Sequence, residues 1–301
     1  MLLLTGATGL IGSALLRRLL EADRPVRALV RDPRRLGDQR VRVQIALGDL
    51  ADPQSLRNAL RGVDAVVHLA ATIRDQPRGS IEELDGIATW RLVQAAERAG
   101  VGRFVFFSAL NATSHNRARF LRAKALAEQA VAESGVPHTI FAPSIVYAPG
   151  DAFLSILARM SLLPVMPVSG RGQARFQPIW AQDVASCVMA VLERDASAAR
   201  ERYELAGPDT LTYDELVGLA LRSFGRGGRR VVHVPSPIVR RSLRAVQALM
   251  RSRAPATWDE AELLEVSMLA AQGTADALEL GVTPRAMADV LGVARPAPRA
   301  A

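Results

Sequence analysis

Apolar residues in this chain fall into short continuous blocks separated by stretches with helical spacing. Met1–Leu4, Pro25–Val30, Val41–Ala46, Ala65–Ala70, Phe104–Phe107 and Thr139–Ala142 read as strands, several without polar alternation, as expected of strands buried on both faces. Between them lie helical patterns: Ser13–Leu20, a stretch capped by Asp52 with Pro53 in its first turn and running to Leu60, Ile81–Ala99 ending at Gly100, and Ala118–Ser134 closed by Gly135. Alternation of this kind predicts an α/β fold: a doubly wound parallel sheet with helices on both faces. Right-handed crossovers then put a ligand outside the C-terminal ends of the strands. After Pro149 the texture changes. Pro164, Pro167, Gly170 and Gly172 mark loops, Asp183 is expected to cap the helix it starts, Tyr203–Ala206 reads as a strand, and Thr212 as the cap of Tyr213–Phe224. The rest reads as mainly helical, with a Pro/Ala/Arg-rich end from Ala294 to Ala301.

The first strand runs into Thr5-Gly6-Ala7-Thr8-Gly9-Leu10-Ile11-Gly12, and a helix follows. Strand, glycine loop and helix make the setting a dinucleotide pyrophosphate needs. Gly6 permits the tight turn, Gly9 permits close approach of a phosphate, and Gly12 permits close packing of the helix on the strand. The free N–H groups at the helix start face the phosphate charge. The chain therefore divides into an expected dinucleotide-binding Rossmann domain over 1–150 and a smaller, mainly helical C-terminal substrate-binding cap over 151–301, with 176–206 packing back on the first domain.

Composition changes this picture in three places. The net charge of +8 is concentrated: from Leu216 to Trp258 there is no Asp or Glu, but there are nine arginines. An amphipathic stretch, Pro237–Arg253, lies inside that region. Its bland reading is a cap helix with arginines in water, and its sharper one is docking to an anionic membrane or an acidic partner. Few aromatics accompany these arginines and no nucleic-acid motif appears, which argues against nucleic acid as a partner. The single cysteine, Cys187, excludes an intrachain disulfide and fits a reducing, cytoplasmic setting, whether free or membrane-peripheral. Met1–Leu4 is too short for a signal-peptide core. Four scattered histidines give no metal-ligand spacing, so no metal site is expected. Finally, Lys124 is the single lysine among 38 basic residues, which marks its position for attention.

With the glycine loop, Gly48-Asp49-Leu50, His68-Leu69-Ala70-Ala71, Phe107-Ser108-Ala109, Lys124 and Pro143-Ser144-Ile145-Val146-Tyr147 in view, the chain resembles the short-chain dehydrogenase/reductase superfamily. It is similar to the extended or atypical, epimerase/dehydratase-like branch, and within it to bacterial relatives of the nucleotide-binding accessory subunit of respiratory complex I. Arg175-Phe176-Gln177-Pro178, Asp183-Val184-Ala185 and Gly281-Val282-Thr283-Pro284-Arg285 carry that branch. The resemblance implies that Gly6, Thr8, Gly9, Leu10, Ile11 and Gly12 line the pyrophosphate and that Asp49 and Leu50 meet the adenine. It puts Ala70 and Ala71 beside the nicotinamide ribose, and Pro143, Ile145 and Val146 by the nicotinamide. For Asp49 a plain turn role stands beside this, and for the apolar residues a core role. At the end of the second strand an acid would accept from the ribose hydroxyl of NAD, whereas an arginine would pair with the 2′-phosphate of NADP. Arg31 comes first there, Asp32 follows, and Arg34 and Arg35 add positive potential, so NADP(H) is favoured over NAD(H).

The resemblance also exposes a departure. Dehydrogenases of this superfamily carry a tyrosine four residues before the lysine, and here that position is Phe120. A phenyl ring cannot transfer a proton. The expected serine position aligns with Ala109, next to Ser108. Lys124 is implied to hold the ribose, and Ser108, His115 and Tyr147 remain as candidates for catalysis, against plain roles as strand end, solvated loop and pocket wall. Three readings stand: an NADPH-dependent oxidoreductase on a small or lipidic carbonyl or quinone-like substrate, a non-catalytic NADP(H)-binding accessory subunit or sensor, and a nucleotide-sugar epimerase/dehydratase-like enzyme.

Overall fold

The computed structural model describes residues 1–196, 200–250, 254 and 256–294. The chain opens with β1 (Leu2–Thr5), α1 (Leu10–Glu21), β2 (Val26–Val30), β3 (Gln44–Leu47), α2 (Pro53–Leu60), β4 (Ala65–His68), α3 (Ala88–Arg98), β5 (Arg103–Phe107), α4 (Arg119–Ala132) and β6 (His138–Pro143). It continues through β7 (Val146–Tyr147), α5 (Ala152–Met160), β8 (Met166–Ser169), β9 (Arg175–Phe176), β10 (Ile179–Trp180), α6 (Ala181–Glu193), β11 (Arg202–Leu205), β12 (Leu211–Thr212) and α7 (Tyr213–Ser223). Then come β13 (Val231–Val234), α8 (Ser236–Met250), α9 (Trp258–Leu263), α10 (Ala275–Glu279) and α11 (Met287–Leu291).

Seven strands form one parallel sheet in the order β11-β6-β5-β4-β1-β2-β3. β1 lies between β2 and β4, with Thr5 level with Leu29 on one side and His68 on the other. The strand order reverses between β1 and β4, so the loops after both strands open on the same end of the sheet. One face is covered by α1 and α6, whose Leu15, Leu16, Leu19, Val184 and Cys187 are fully buried. Burial of each such leucine contributes about 1.5–3 kcal/mol. On the other face α2, α3 and α4 cover Leu3, Val66, Phe104 and Phe106. The seventh strand, β11, returns from the C-terminal half to pair with β6. The remaining C-terminal residues form a second core around Tyr147, Phe176, Tyr213 and Met268.

Several boundaries differ from the sequence reading. The strand expected at Val41–Ala46 begins only at Gln44, because Pro33–Arg42 forms 3-10 turns broken at Gly37. As an edge strand, β3 leaves Ile45 and Leu47 exposed, so its apolar run does not signal burial on both faces. The helix expected from Ile81 starts with a π-turn, Glu82–Ile87. Asp183 does not cap α6: Trp180 is at the cap, and the Asp183 carboxylate accepts from the Arg285 N–H at 2.9 Å. Thr212 does cap α7, in a reciprocal capping box with Glu215, and Asp52 caps α2 through the N–H groups of Gln54 and Ser55. The Pro/Ala/Arg-rich end lies, after Ala294, outside the described residues.

A buried polar chain ties the central strands to α3. Thr89 Oγ1 donates to the Asp85 carbonyl, so it must accept from His68 Nε2 at 3.0 Å. His68 Nδ1 is then an acceptor, and Thr5 Oγ1 donates to it at 2.6 Å. This fixes the neutral Nε2–H tautomer. Burial, with a smaller contribution from the Lys124 charge, pushes the His68 pKa down to about 3. Because the folded-state value is depressed, the unfolded chain binds this proton more readily, and the associated stability is lost as pH falls from about 6.5 towards about 3. Urea midpoints should decline across that window, and the His68 imidazole should keep its neutral Nε2–H NMR signature in the folded protein at pH 5. An imidazolium signal there would contradict the network.

Candidate functional site

The glycine loop is shaped by close approach. Gly6 has φ +73°, and a Cβ on it would sit 2.5 Å from the backbone nitrogen of Ala70 at the end of β4. A Cβ on Gly12 would overlap the Gly6 carbonyl oxygen. Both glycines are therefore required for α1 to start directly over the β1 and β4 ends. Gly9 is the N-cap of α1, with no side-chain cap and no acid in the first turn. The first-turn N–H groups thus lack side-chain acceptors, and the helix dipole adds positive potential at the loop. A dinucleotide pyrophosphate fits this cradle: there is no Cβ in the way, and donors are available.

A cleft of about 380 Å³ opens here. It brings together Gly6, Thr8, Arg31, Asp49, Leu50, Ala70 and Ala71 from the sequence-predicted set, with Asp32, Arg35, Thr72 and Gln76 beside them. Gly9, Leu10, Ile11 and Gly12 form the loop and helix start rather than the wall. Asp32 is engaged by its own neighbour: the Arg34 guanidinium pairs with its carboxylate at 3.0 and 3.2 Å, and the Arg34 N–H adds a third bond, holding the carboxyl below its usual range. Arg31 and Arg35 line the cleft, exposed and with no ion pair among the described residues. Asp49 closes the turn into α2 by accepting from the Ala51 N–H, and its other oxygen accepts from Arg78 at 3.0 Å.

Lys124 lies on α4 and is almost wholly buried. Its Nζ donates to the Phe107 carbonyl at 2.9 Å and faces Asp85 Oδ1 at 3.3 Å, a contact that is an ion pair without hydrogen-bond alignment. Phe106 and Phe120 present their rings to the ammonium at 5.1 and 5.5 Å. The phenylalanine at the expected tyrosine position thus meets the lysine through its ring. Asp85 is completely buried, and its other oxygen accepts from the Thr72 N–H at 3.0 Å. One carboxylate therefore ties the lysine to the loop that walls the cleft. Burial pushes the Asp85 carboxyl up, and the Lys124 charge opposes that shift. Asp85 is carried by the π-turn Glu82–Ile87, where a Cβ on Gly86 would meet Ala123 and Leu126 of α4 at ordinary contact distance.

Asp85 was absent from the sequence-derived candidates. The signal was nevertheless legible, because Ile81, Asp85, Ala88 and Leu92 form one buried helical stripe, and a carboxylate on such a stripe requires a partner. None of the other candidate proton donors bonds to this pair among the described residues. Ser108, next to Phe107, and Tyr147 are buried with hydroxyls that have no hydrogen-bond partner among the described residues. Burial, then the charges of Asp183, Asp209 and Asp289, push the Tyr147 phenol up; Lys124 is not among its perturbing charges. His115 is exposed on the loop before α4, with no side-chain hydrogen bond among the described residues. Pro143 ends β6, where its carbonyl accepts from Leu110, and Ile145 and Val146 are half-buried against the two cores. Ser144 and Gln177 were also missed. Ser144 donates to the Met268 carbonyl and accepts from the Gln177 N–H, and Gln177 accepts from Ala270, bolting the β6 end to the C-terminal core.

The sequence matches the NAD(P)H-binding family over residues 6–195. The chain belongs to that family. It is 30% identical over 259 residues to the mitochondrial NADH dehydrogenase [ubiquinone] 1 alpha subcomplex subunit 9 of Arabidopsis thaliana, covering 83% of this chain and 64% of that subunit. It is therefore shorter in span than the subunit it matches. It is also 30% identical over 232 residues to an NAD(P)H azoreductase of Xenophilus azovorans, covering 77% of this chain and 76% of the azoreductase. In three dimensions it shares its fold with a dTDP-glucose 4,6-dehydratase of Streptomyces venezuelae, with a TM-score of 0.72 and 23% identity over 97% of this chain and 94% of that one. The atypical short-chain dehydrogenase/reductase resemblance and the Rossmann fold agree with these findings.

The Lys124–Asp85 pair gives a sharp energetic expectation. Asp85→Leu or Lys124→Met alone leaves one buried charge uncompensated and should cost about 3–5 kcal/mol. The double variant should cost much less than the sum, as read from urea unfolding of all four proteins. Additive losses would mean that the two side chains do not act as a pair.

Proposed function

We propose that the chain is an NADP(H)-dependent oxidoreductase whose lysine positions the cofactor and whose substrate does not depend on a tyrosine proton. The observation that carries this reading is Lys124, pinned by Phe107 and Asp85 behind the wall of a cleft built for a dinucleotide. Gly6, Thr8, Gly9 and the first turn of α1 would hold the pyrophosphate, Leu50 and Asp49 the adenine, Ala70 and Ala71 the ribose side, and Lys124 the ribose hydroxyls. The bound cofactor would supply a hydride. Residues 1–150 would serve the cofactor, and Pro143, Ile145, Val146 and the 151–301 region the substrate.

Preference for NADP(H) is supported by the arginines. Asp32, which would otherwise accept from the ribose hydroxyl of NAD, is held by Arg34, while Arg31 and Arg35 line the cleft with no ion pair among the described residues. Guanidinium groups in that state suit a phosphate dianion. A quinone-like or conjugated carbonyl acceptor suits the lysine site, because the oxyanion it forms is weakly basic and can take its proton from water. The azoreductase relative supports a reductive role, and the complex I subunit supports a second reading. In that one the chain binds NADP(H) as an accessory component without turnover. Phe120, which cannot donate a proton, is the observation in its favour. Ser108, His115 and Tyr147 are retained as subordinate catalytic candidates.

Two measurements test this. Protein incubated with NADPH deuterated at C4 and a metabolite and lipid extract should pass deuterium to a specific compound, as read by mass spectrometry. Bound NADPH without transfer would favour the accessory reading. Arg31→Ala and Arg35→Ala should each weaken NADPH binding about tenfold while leaving NADH within about twofold, by cofactor fluorescence titration. Equal losses for both cofactors would remove the case for the 2′-phosphate.

A further inference from the structure

Helix α8 differs from every other long helix described. None of its fifteen residues is buried. One side, with Val239, Leu243, Val246 and Gln247, is half-covered, and Arg240 lies over the Trp258 ring of α9 at 5.8 Å. At 100° per residue, Ile238, Ser242, Ala245 and Leu249 fall together on another side. All four are exposed, Ile238 at 57% and Leu249 at 86%. Arg241 borders this strip on one side, Arg244 lies further round on that same side, and none of the α8 arginines has an ion pair among the described residues. No acid occurs from Leu216 to Trp258.

A helix evolved only for water would carry acids to balance its arginines, and its apolar residues would turn inward. A protein-binding patch keeps charge away from its apolar centre. Here Arg241 borders the apolar strip directly and Arg244 lies beyond it on the same exposed side, which suits a surface that is anionic at the level of the charges and apolar just beneath. No helix among the described residues is long and apolar enough to span a bilayer, so the contact would be interfacial. We propose that α8 docks on an anionic lipid surface, with Ile238 and Leu249 entering the headgroup–acyl boundary and Arg241 and Arg244 at the phosphates.

The location gives the docking a consequence. α9, against which α8 rests, is bolted to the sheet domain: Glu260 pairs with Arg74 at 2.6 Å and Asp259 with Arg119 at 3.5 Å. Thr72 Oγ1 donates to the Arg74 carbonyl, and Thr72 both lines the cleft and donates to Asp85. Docking would thus hold the Thr72 side of the cleft near the lipid. Resting on the oxidoreductase reading above, this makes a bilayer-dissolved acceptor the substrate class.

The test uses the full chain with vesicles of phosphatidylcholine alone or mixed with phosphatidylglycerol. Co-sedimentation should require the anionic lipid. It should fall about tenfold or more both in Arg241→Glu/Arg244→Glu and in Ile238→Ser/Leu249→Ser. Because the native Cys187 is buried, a solvatochromic dye on Leu249→Cys reports the strip alone, and its emission should shift to the blue on anionic vesicles. Binding that ignores anionic lipid would overturn the proposal. So would a loss confined to the charge variant with an unshifted dye, the result expected of a surface for an acidic protein. NADPH titration of the same preparations separates the two ideas: its failure in the unmodified chain counts against the cofactor reading and not against docking.

Discussion

The close approach between the backbone of the glycine loop and its neighbours governs the rest of the molecule. With a Cβ at Gly12, α1 could not begin where it does, because the Gly6 carbonyl occupies that space; with one at Gly6, the loop would collide with Ala70. This contact sets the depth at which α1 lies on the sheet, and α6 then packs along α1 through Val184 and Cys187. It also leaves the β1 and β4 ends side by side, which is why one cleft can be walled by Thr8 from one loop and Thr72 from the other. The conformational cost of the glycines is returned as a site where backbone donors stand unobstructed.

Behind that site the structure maintains a buried ion pair, an arrangement with a desolvation cost on both groups. It is retained here with a full set of supports: a carbonyl and two aromatic rings around Lys124, and a backbone N–H on the far oxygen of Asp85. The neutral His68 with Thr5 and Thr89 completes the polar layer, leaving these strand ends rigid. Such a layer is suited to orienting a ligand. Phe120, at the position of a phenol, offers the lysine its ring and no transferable proton.

Much of the site was legible beforehand because its parts are local. The loop Gly6–Gly12, the strand-end Asp49-Leu50 and Ala70-Ala71 segments and the singular Lys124 each announce themselves within a few residues, and the cleft gathers most of them. Asp85 was hidden by its company, since Glu82 and Glu83 beside it make the segment look like an exposed acidic surface. Its position on a buried stripe contradicts that impression only when helical phase is followed through the π-turn. Asp32, whose spacing from the glycines would allow a ribose contact, is engaged in the structure by the neighbouring Arg34.

By itself the sequence determined the succession of strands and helices, the glycine cradle, the absence of the tyrosine and the acid-free basic stretch. These are set by hydrophobic period and residue type over short windows, where the chain's own geometry decides which face is buried. Tertiary structure decided which charges find partners. Lys124 meets Asp85 because the π-turn before α3 is brought against α4, Arg34 turns back to pair with Asp32 while Arg31 and Arg35 form no ion pair among the described residues, β11 joins the sheet from the far half of the chain, and α8 keeps no residue buried. Pairings between elements depend on how the loops fold them together, and no local period encodes that distance.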